Sequence, residues 1–200
     1  MTSKLGILLS GRGSNFEAIA GNVARGALPA EIAVVVCNRP EAPGLNRASQ
    51  LGLPAICLPS KGVPREQYDI QLAQELKRWN VDLVCLAGFM RLLTPAFISQ
   101  FPQAILNIHP SLLPAFPGLD AQAQALAHGV KITGCTVHFV NEQLDAGPIV
   151  AQAAVPVLAD DTAESLSARI LSEEHRLYSE AIRLVLGGGY RIEGRRVRGD

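Results

Sequence analysis

An open α/β sheet, mostly parallel and with helices on both faces, is what this sequence specifies. Three observations point to it. Short runs rich in Val, Ile and Leu recur as far as His109, helical patterns lie between them, and a glycine turn follows the first run. Strands buried on both faces read as near-continuous apolar runs, and a helix between successive strands is the connection parallel pairing needs. In the C-terminal half the rhythm changes, and antiparallel strands are expected as additions to this sheet.

The elements follow in order. Leu5-Gly-Ile-Leu-Leu9 is a buried strand, followed by a glycine turn and a helix from about Asn15. Ile32 to Cys37 is the second strand, and Asn38-Arg-Pro-Glu-Ala-Pro-Gly44 is a loop. A short helix ends near Gly52, and Ala55 to Leu58 is a third strand. Arg65 to Trp79 is a helix in which Leu72, Leu76 and Trp79 are spaced to share a face. Asp82 to Ala87 and Ala104 to His109 are further strands. Beyond Gly118, Ile132 to Val140 and Pro148 to Val157 are longer, partly polar strands joined by a connection short enough for antiparallel pairing. A long helix runs from Asp161, its expected N-cap with Glu164 at the capping-box position, to about Leu186, where Gly187-Gly-Gly189 stops it. Tyr190 to Val197, turning at Glu193-Gly194, closes as a hairpin.

The chain is read as one domain spanning residues 1–200, since no linker or internal repeat divides it. At 48% hydrophobic it can bury a substantial core, and its formal net charge of zero argues against a nucleic-acid clamp. Arg191, Arg195, Arg196 and Arg198 read as the solvated face of the terminal hairpin. The start of the chain lacks a cleavage site of the signal-peptide kind, and no apolar run reaches the roughly 20 residues that cross a bilayer. Cys37, Cys57, Cys85 and Cys135 are scattered in apolar surroundings and form no C-x-x-C pair, so they are expected to be reduced in a cytoplasmic protein. The four histidines lack zinc-ligand spacing among themselves or with the cysteines, and no metal is expected. The expected partners are small-molecule substrates, not nucleic acid or membrane, and the chain is expected to be a monomer or homodimer.

In an open α/β sheet ligands bind beyond the carboxyl ends of the strands, so chemistry is sought there. Ser10-Gly-Arg-Gly-Ser-Asn15 follows the first strand. Its glycines let backbone amides converge and the next helix begins at once, a phosphate cradle to which Ser14 and Asn15 add side-chain donors. It is a poor dinucleotide fingerprint, because Phe16 holds the third glycine position and Asn38 stands where an acidic ribose ligand belongs. On the fifth strand Asn107 and His109 face the same way beside each other at the carboxyl end, an amide donor next to a proton carrier. They suit a reaction with a developing oxyanion, or a pair of satisfied structural groups. Asp145, before Ala-Gly-Pro148, reads by itself as a turn former. On the last long helix Leu166, Ile170, Leu177, Ala181 and Leu184 form an inward stripe, and Glu174 falls within it. A carboxylate on a buried face needs a partner, either a structural arginine or a substrate's amine and hydroxyls.

Asn107-Ile-His-Pro-Ser-Leu-Leu-Pro114, then Pro117-Gly118, then Asp145-x-Gly147-Pro148 resembles the signature of the folate-dependent formyltransferases. Ser10 to Asn15 and Leu86-Ala-Gly-Phe-Met-Arg-Leu-Leu93 narrow the resemblance to the phosphoribosylglycinamide branch of that family, over nearly the whole chain. After Pro117-Gly118 this chain has Leu119-Asp-Ala-Gln122 where many members carry histidines.

The resemblance implies formyl transfer from 10-formyltetrahydrofolate to the glycyl amine of the ribonucleotide, by direct attack and a tetrahedral intermediate, with no metal. It implies that Asn107, His109 and Asp145 are catalytic, the first two holding the oxyanion and Asp145 supporting the imidazolium and moving a proton. It further implies a ribonucleotide site at Gly13, Ser14, Asn15 and Glu174. The implied folate site comprises Arg65, Met90, Arg91, Leu92, Leu93, Asn107, Asn141, Glu142, Gln143, Leu144 and Asp145, with Met90, Leu92 and Leu93 forming an apolar surface for the pterin. Phosphate binding then belongs to the half about 1–100, and folate binding and catalysis to the half about 101–200. A formyltetrahydrofolate deformylase, the competing hydrolase, usually has a second histidine where this chain has Pro110. A non-catalytic nucleotide-binding module would not need Asn107, His109 and Asp145 together.

Overall fold

The computed structural model describes residues 2–199. They form two compact units, the first ending at Leu106 and the second beginning at Asn107.

In the first unit β1 (Ser3–Leu9), β2 (Ala30–Cys37), β3 (Ala55–Cys57) and β4 (Leu83–Leu86) lie side by side as β3-β2-β1-β4, all parallel. The helices between them are α1 (Ser14–Ala24), α2 (Pro43–Gln50) and α3 (Arg65–Arg78), with a short α4 (Pro95–Ile98) after β4. Both faces of β1 are covered, as its alternating residues record. A Cβ on Gly6 would stand 2.9 Å from Leu76 of α3, whereas Leu9 on the other face packs against Gly13 and Gly44 at the starts of α1 and α2. Gly6 therefore sets how closely α3 can approach the strand. On α3 the buried stripe is Tyr68, Asp69, Leu72, Ala73 and Leu76. Trp79 is not part of it. It ends the helix half-buried, its indole Nε1 donating to Glu75.

The strand β5 (Ile105–His109) leads into the second unit. There β6 (Ile132–Phe139) and β7 (Ile149–Pro156) pair antiparallel, as expected, followed in sheet order by β9 (Arg196–Gly199) and β8 (Tyr190–Glu193). The terminal hairpin is exposed, with Arg191 and Arg198 both on Glu193. A short helix α5 (Ala121–Ala127), which the sequence reading did not anticipate, starts at Asp120.

The long helix α6 (Ala163–Gly187) packs on β6 and β7. Its N-cap is Thr162, not Asp161. Thr162 accepts from Ser165 N while the Ser165 hydroxyl accepts from Thr162 N, a capping box one residue later than expected. Asp161 instead binds Arg169 through both oxygens and accepts from Leu158 N and the Ser165 hydroxyl. The Arg169 hydrogen bonds hold its carboxyl well below the usual range. The inward stripe also differs at its end. Leu184 is exposed, and Tyr178 and Ile182 take its place beside Leu166, Ile170, Glu174, Leu177 and Ala181.

All four cysteines are free; Cys37, Cys85 and Cys135 are buried, and Cys57 is half-buried. No helix among the described residues is long and apolar enough to cross a membrane.

Candidate active site

In the first unit the chain turns sharply after β1. Gly13 sits in the left-handed region at φ 79°, and a Cβ there would meet Leu9, Gly44 and Phe16 at 3.2–3.3 Å, so both conformation and space require glycine. No side chain caps α1, which leaves the first-turn amides from Ser14 onward directed out of the helix end, where they attract an anion. Asn15 is buried and Ser14 half-buried. A Cβ on Gly11 would meet nothing within 4 Å, so the middle of this loop borders open space.

The Met90–Leu93 loop lies against that turn. Ser10 N donates to Gly88 O at 3.0 Å, and Met90 N donates to the Ser10 hydroxyl at 2.8 Å. The rest of the loop is pinned by α3. Arg65 Nε donates to Leu92 O at 2.8 Å, Arg91 lies over the Tyr68 ring, and Thr94 N donates to the buried Asp69. Met90 and Leu92 present exposed apolar side chains. Leu93 does not. It is buried, so the apolar surface expected of three residues is made by two.

The second unit brings together Asn107, His109 and Asp145, which the sequence separates by up to 38 positions. His109 Nδ1 stands 3.4 Å from Asp145 Oδ2, and His109 Nε2 is 2.8 Å from the Phe116 carbonyl. Both ring nitrogens thus face acceptors, and a ring carrying hydrogen at both donates to each. Asp145 is positioned by backbone. It adopts φ 49°, outside the usual region for a side-chain-bearing residue, and its Oδ2 accepts from Gly118 N at 2.8 Å. Two residues on, a Cβ on Gly147 would fall 1.8 Å from Phe139 O, so only glycine lets this connection lie against the end of β6.

A fourth side chain joins them. His138 is buried, with Nε2 3.2 Å from Asn107 Nδ2 and 3.7 Å from Asp145 Oδ1. The polar groups therefore run in sequence from Asn107 through His138 and Asp145 to His109. By sequence, His138 stands out only as one of four histidines without zinc-ligand spacing. Its position, next to the end of a strand that leads directly into the Asp145 connection, was the signal available. Thr136 was also missed. It is wholly buried and holds the chain after His109, accepting from Leu113 N and donating to Ser111 O.

Asn141, Glu142, Gln143 and Leu144 form the exposed start of the connection, tightened by Gln143 N donating to Asn141 Oδ1. Glu174 is buried on α6, which packs on β6. Burial and the charges of Glu174 and Glu173 push the Cys135 thiol up to about 12, which makes it unreactive. Leu119 is exposed, and its carbonyl accepts from Gln124 Nε2.

The chain belongs to the formyl transferase family, whose model matches residues 3–182. Within it, several of the proteins it resembles are named for phosphoribosylglycinamide or glycinamide ribonucleotide. It is 43% identical over 173 residues to the phosphoribosylglycinamide formyltransferase of Escherichia coli (strain K12), covering 86% of this chain and 82% of that protein. The crystal structure of glycinamide ribonucleotide transformylase 1 from Symbiobacterium toebii superimposes with a TM-score of 0.97 at 53% identity, covering 99% of this chain and 94% of that one. The chain is also 44% identical over 188 residues to the trifunctional purine biosynthetic protein adenosine-3 of Drosophila melanogaster, covering 92% of this chain but only 14% of that much longer protein.

Proposed function

We propose that this chain transfers the formyl group of 10-formyltetrahydrofolate to the amine of N1-(5-phospho-D-ribosyl)glycinamide, a step of de novo purine biosynthesis. One observation carries the reading: Asn107, His109 and Asp145 meet in a buried polar cluster, in a member of the formyl transferase family. The two units then act as one formyltransferase domain, in the cytoplasm, as a monomer or homodimer.

When bound, the folate supplies an electrophilic formyl carbon and a nitrogen leaving group. The residues present fit such a ligand. Met90 and Leu92 offer exposed apolar side chains to a flat ring, pinned backbone lies beside them, and the Asn141–Leu144 segment is accessible. Arg65, Arg91 and the backbone of Leu93 complete the folate contacts in this reading. Gly13, Ser14 and Asn15 bind the ribonucleotide phosphate at the uncapped start of α1, and Glu174 takes its sugar or glycinamide end.

Asn107 donates a hydrogen bond to the oxygen that becomes negative as the amine attacks, and His109 adds positive charge beside it. Asp145, 3.4 Å from His109 Nδ1, supports that charge and relays the proton lost by the amine toward the leaving nitrogen. No protein nucleophile takes part, since the substrate amine attacks directly.

The test is to incubate the pure protein with 10-formyltetrahydrofolate, with and without the ribonucleotide, and follow both products. Formyl release only when the ribonucleotide is present, with formylglycinamide ribonucleotide formed in equal amount, is expected. Formate released at the same rate without it would make the protein the hydrolase instead.

A further inference from the structure

His138 lies one residue before the end of β6, where the pairing of β6 with β7 shifts register between Val137 and His138. A bulge re-aims the side chains beside it, and here the imidazole is left among Asn107, Asp145 and the Phe139 carbonyl.

The partners settle where its hydrogen sits. A backbone carbonyl only accepts, so Nδ1, 2.9 Å from Phe139 O, is the donor. Burial pushes the imidazole below its ordinary value and favours the neutral ring, against the opposing effects of the Phe139 hydrogen bond and the Asp145 charge; His109 and Arg195 act in the same direction as burial. A neutral ring with its hydrogen on Nδ1 presents a lone pair at Nε2. The atom 3.2 Å from that lone pair is Asn107 Nδ2, which donates to it. An amide turned over would set Oδ1 against the lone pair, acceptor facing acceptor, and lose the bond.

We propose that His138 is a positioning residue: it holds the Asn107 amide by one Nδ2 hydrogen, so that the second Nδ2 hydrogen is aimed at the oxygen that gains charge during formyl transfer. This rests on the proposed role of Asn107. His138 itself touches no substrate and exchanges no proton. It sets which end of a nearly symmetric side chain faces the reaction. An amide free to turn over would present a carbonyl oxygen to the developing negative charge for part of the time, which repels what the amine end attracts.

Two measurements test it on the intact protein. Nitrogen–nitrogen coupling across a hydrogen bond, read by NMR between Asn107 Nδ2 and His138 Nε2, is expected in the wild type, with Asn107→Asp assigning the resonance. In His138→Leu the downfield shift of the Asn107 amide proton should vanish. In steady-state kinetics His138→Leu should lower kcat about tenfold or more with both KM values within about twofold, because the interaction acts on the transition state. His138→Gln, whose side-chain oxygen accepts the same hydrogen, should recover most of the loss. No coupling in the wild type, full turnover in His138→Leu, or a Gln variant as poor as Leu while both remain folded, overturns the proposal. A wild-type protein that transfers no formyl group would instead overturn the functional reading, and the coupling measurement would still decide the hydrogen bond.

Discussion

Thr136 is the side chain whose removal should tell most about how the segment after His109 is held. Its hydroxyl accepts from Leu113 N at 3.0 Å and donates to Ser111 O at 2.7 Å, both buried, and accepts from the exposed Gln152 through Nε2 at 2.9 Å. Thr136→Val keeps the shape and deletes those bonds. Gln152 retains Leu113 O at 3.0 Å, but the Leu113 amide and the Ser111 carbonyl lose their Thr136 partner in the interior. Each buried group so stranded costs about 1–3 kcal/mol. The added methyl returns about 0.8 kcal/mol. The expected loss is therefore about 1–5 kcal/mol, or roughly 2–20 °C in Tm for a chain of this size. Urea unfolding should show a lower midpoint at unchanged slope, and Thr136→Ser, which keeps the hydroxyl, should lose less than half as much. The same segment carries the Phe116 carbonyl on which His109 Nε2 rests, so kcat should fall with stability. A Val variant within about 1 kcal/mol of wild type would show that the network contributes no net stability.

Asp145→Asn keeps an acceptor for Gly118 N but removes the charge beside His109; kcat should fall about a hundredfold or more with folate affinity nearly unchanged. Normal turnover in that variant would return Asp145 to a turn residue. Gly13→Val forces a β-branched residue into the left-handed region and a crowded site, so it should lose stability as well as ribonucleotide binding. Gly11→Ala meets nothing within 4 Å and has no such conformational demand, so by calorimetry it should weaken only the ribonucleotide, leaving Tm and folate binding intact. Folding lowers the proton affinity of His138, whereas in the unfolded chain the group titrates near about 6.5. The unfolded state thus binds more protons below that pH, and the neutral group's contribution to stability is lost as pH falls from about 6.5 toward the folded value. Urea midpoints of wild type and His138→Gln should converge or cross between about pH 7.5 and about pH 5.5, and parallel midpoints would contradict the assignment.

The parallel strands could be read from sequence because burial on both faces leaves an unbroken apolar run, and Gly13 could be read because a tight turn into a helix needs positive φ. Tertiary placement was harder. Asp161 and Thr162 are both good caps, and what decided between them was Arg169, eight residues along, which claims the carboxylate. Leu93 is as apolar as Leu92, yet only one of the two reaches the surface. Asn107 and His109 were visible as a same-face pair on one strand. His109 meets Asp145 directly, whereas the link from Asn107 to Asp145 runs through His138, which sits at a register shift that no single-strand pattern reveals. The short helix α5 went unnoticed because its Ala-Gln repeat carries almost no amphipathic signal.

The hydroxyl of Ser10 has a consequence for the order of events. It ties the turn after β1 to the Met90 backbone, so the two loops cannot settle independently. A ligand that fixes one loop has already paid part of the entropy of fixing the other. The two substrates should therefore bind with positive linkage, and by reciprocity the factor by which the ribonucleotide tightens the folate must equal the factor by which the folate tightens the ribonucleotide. Ser10→Ala removes the hydroxyl's share of that tie while Ser10 N stays on Gly88 O, so it should lower both factors together and by the same amount.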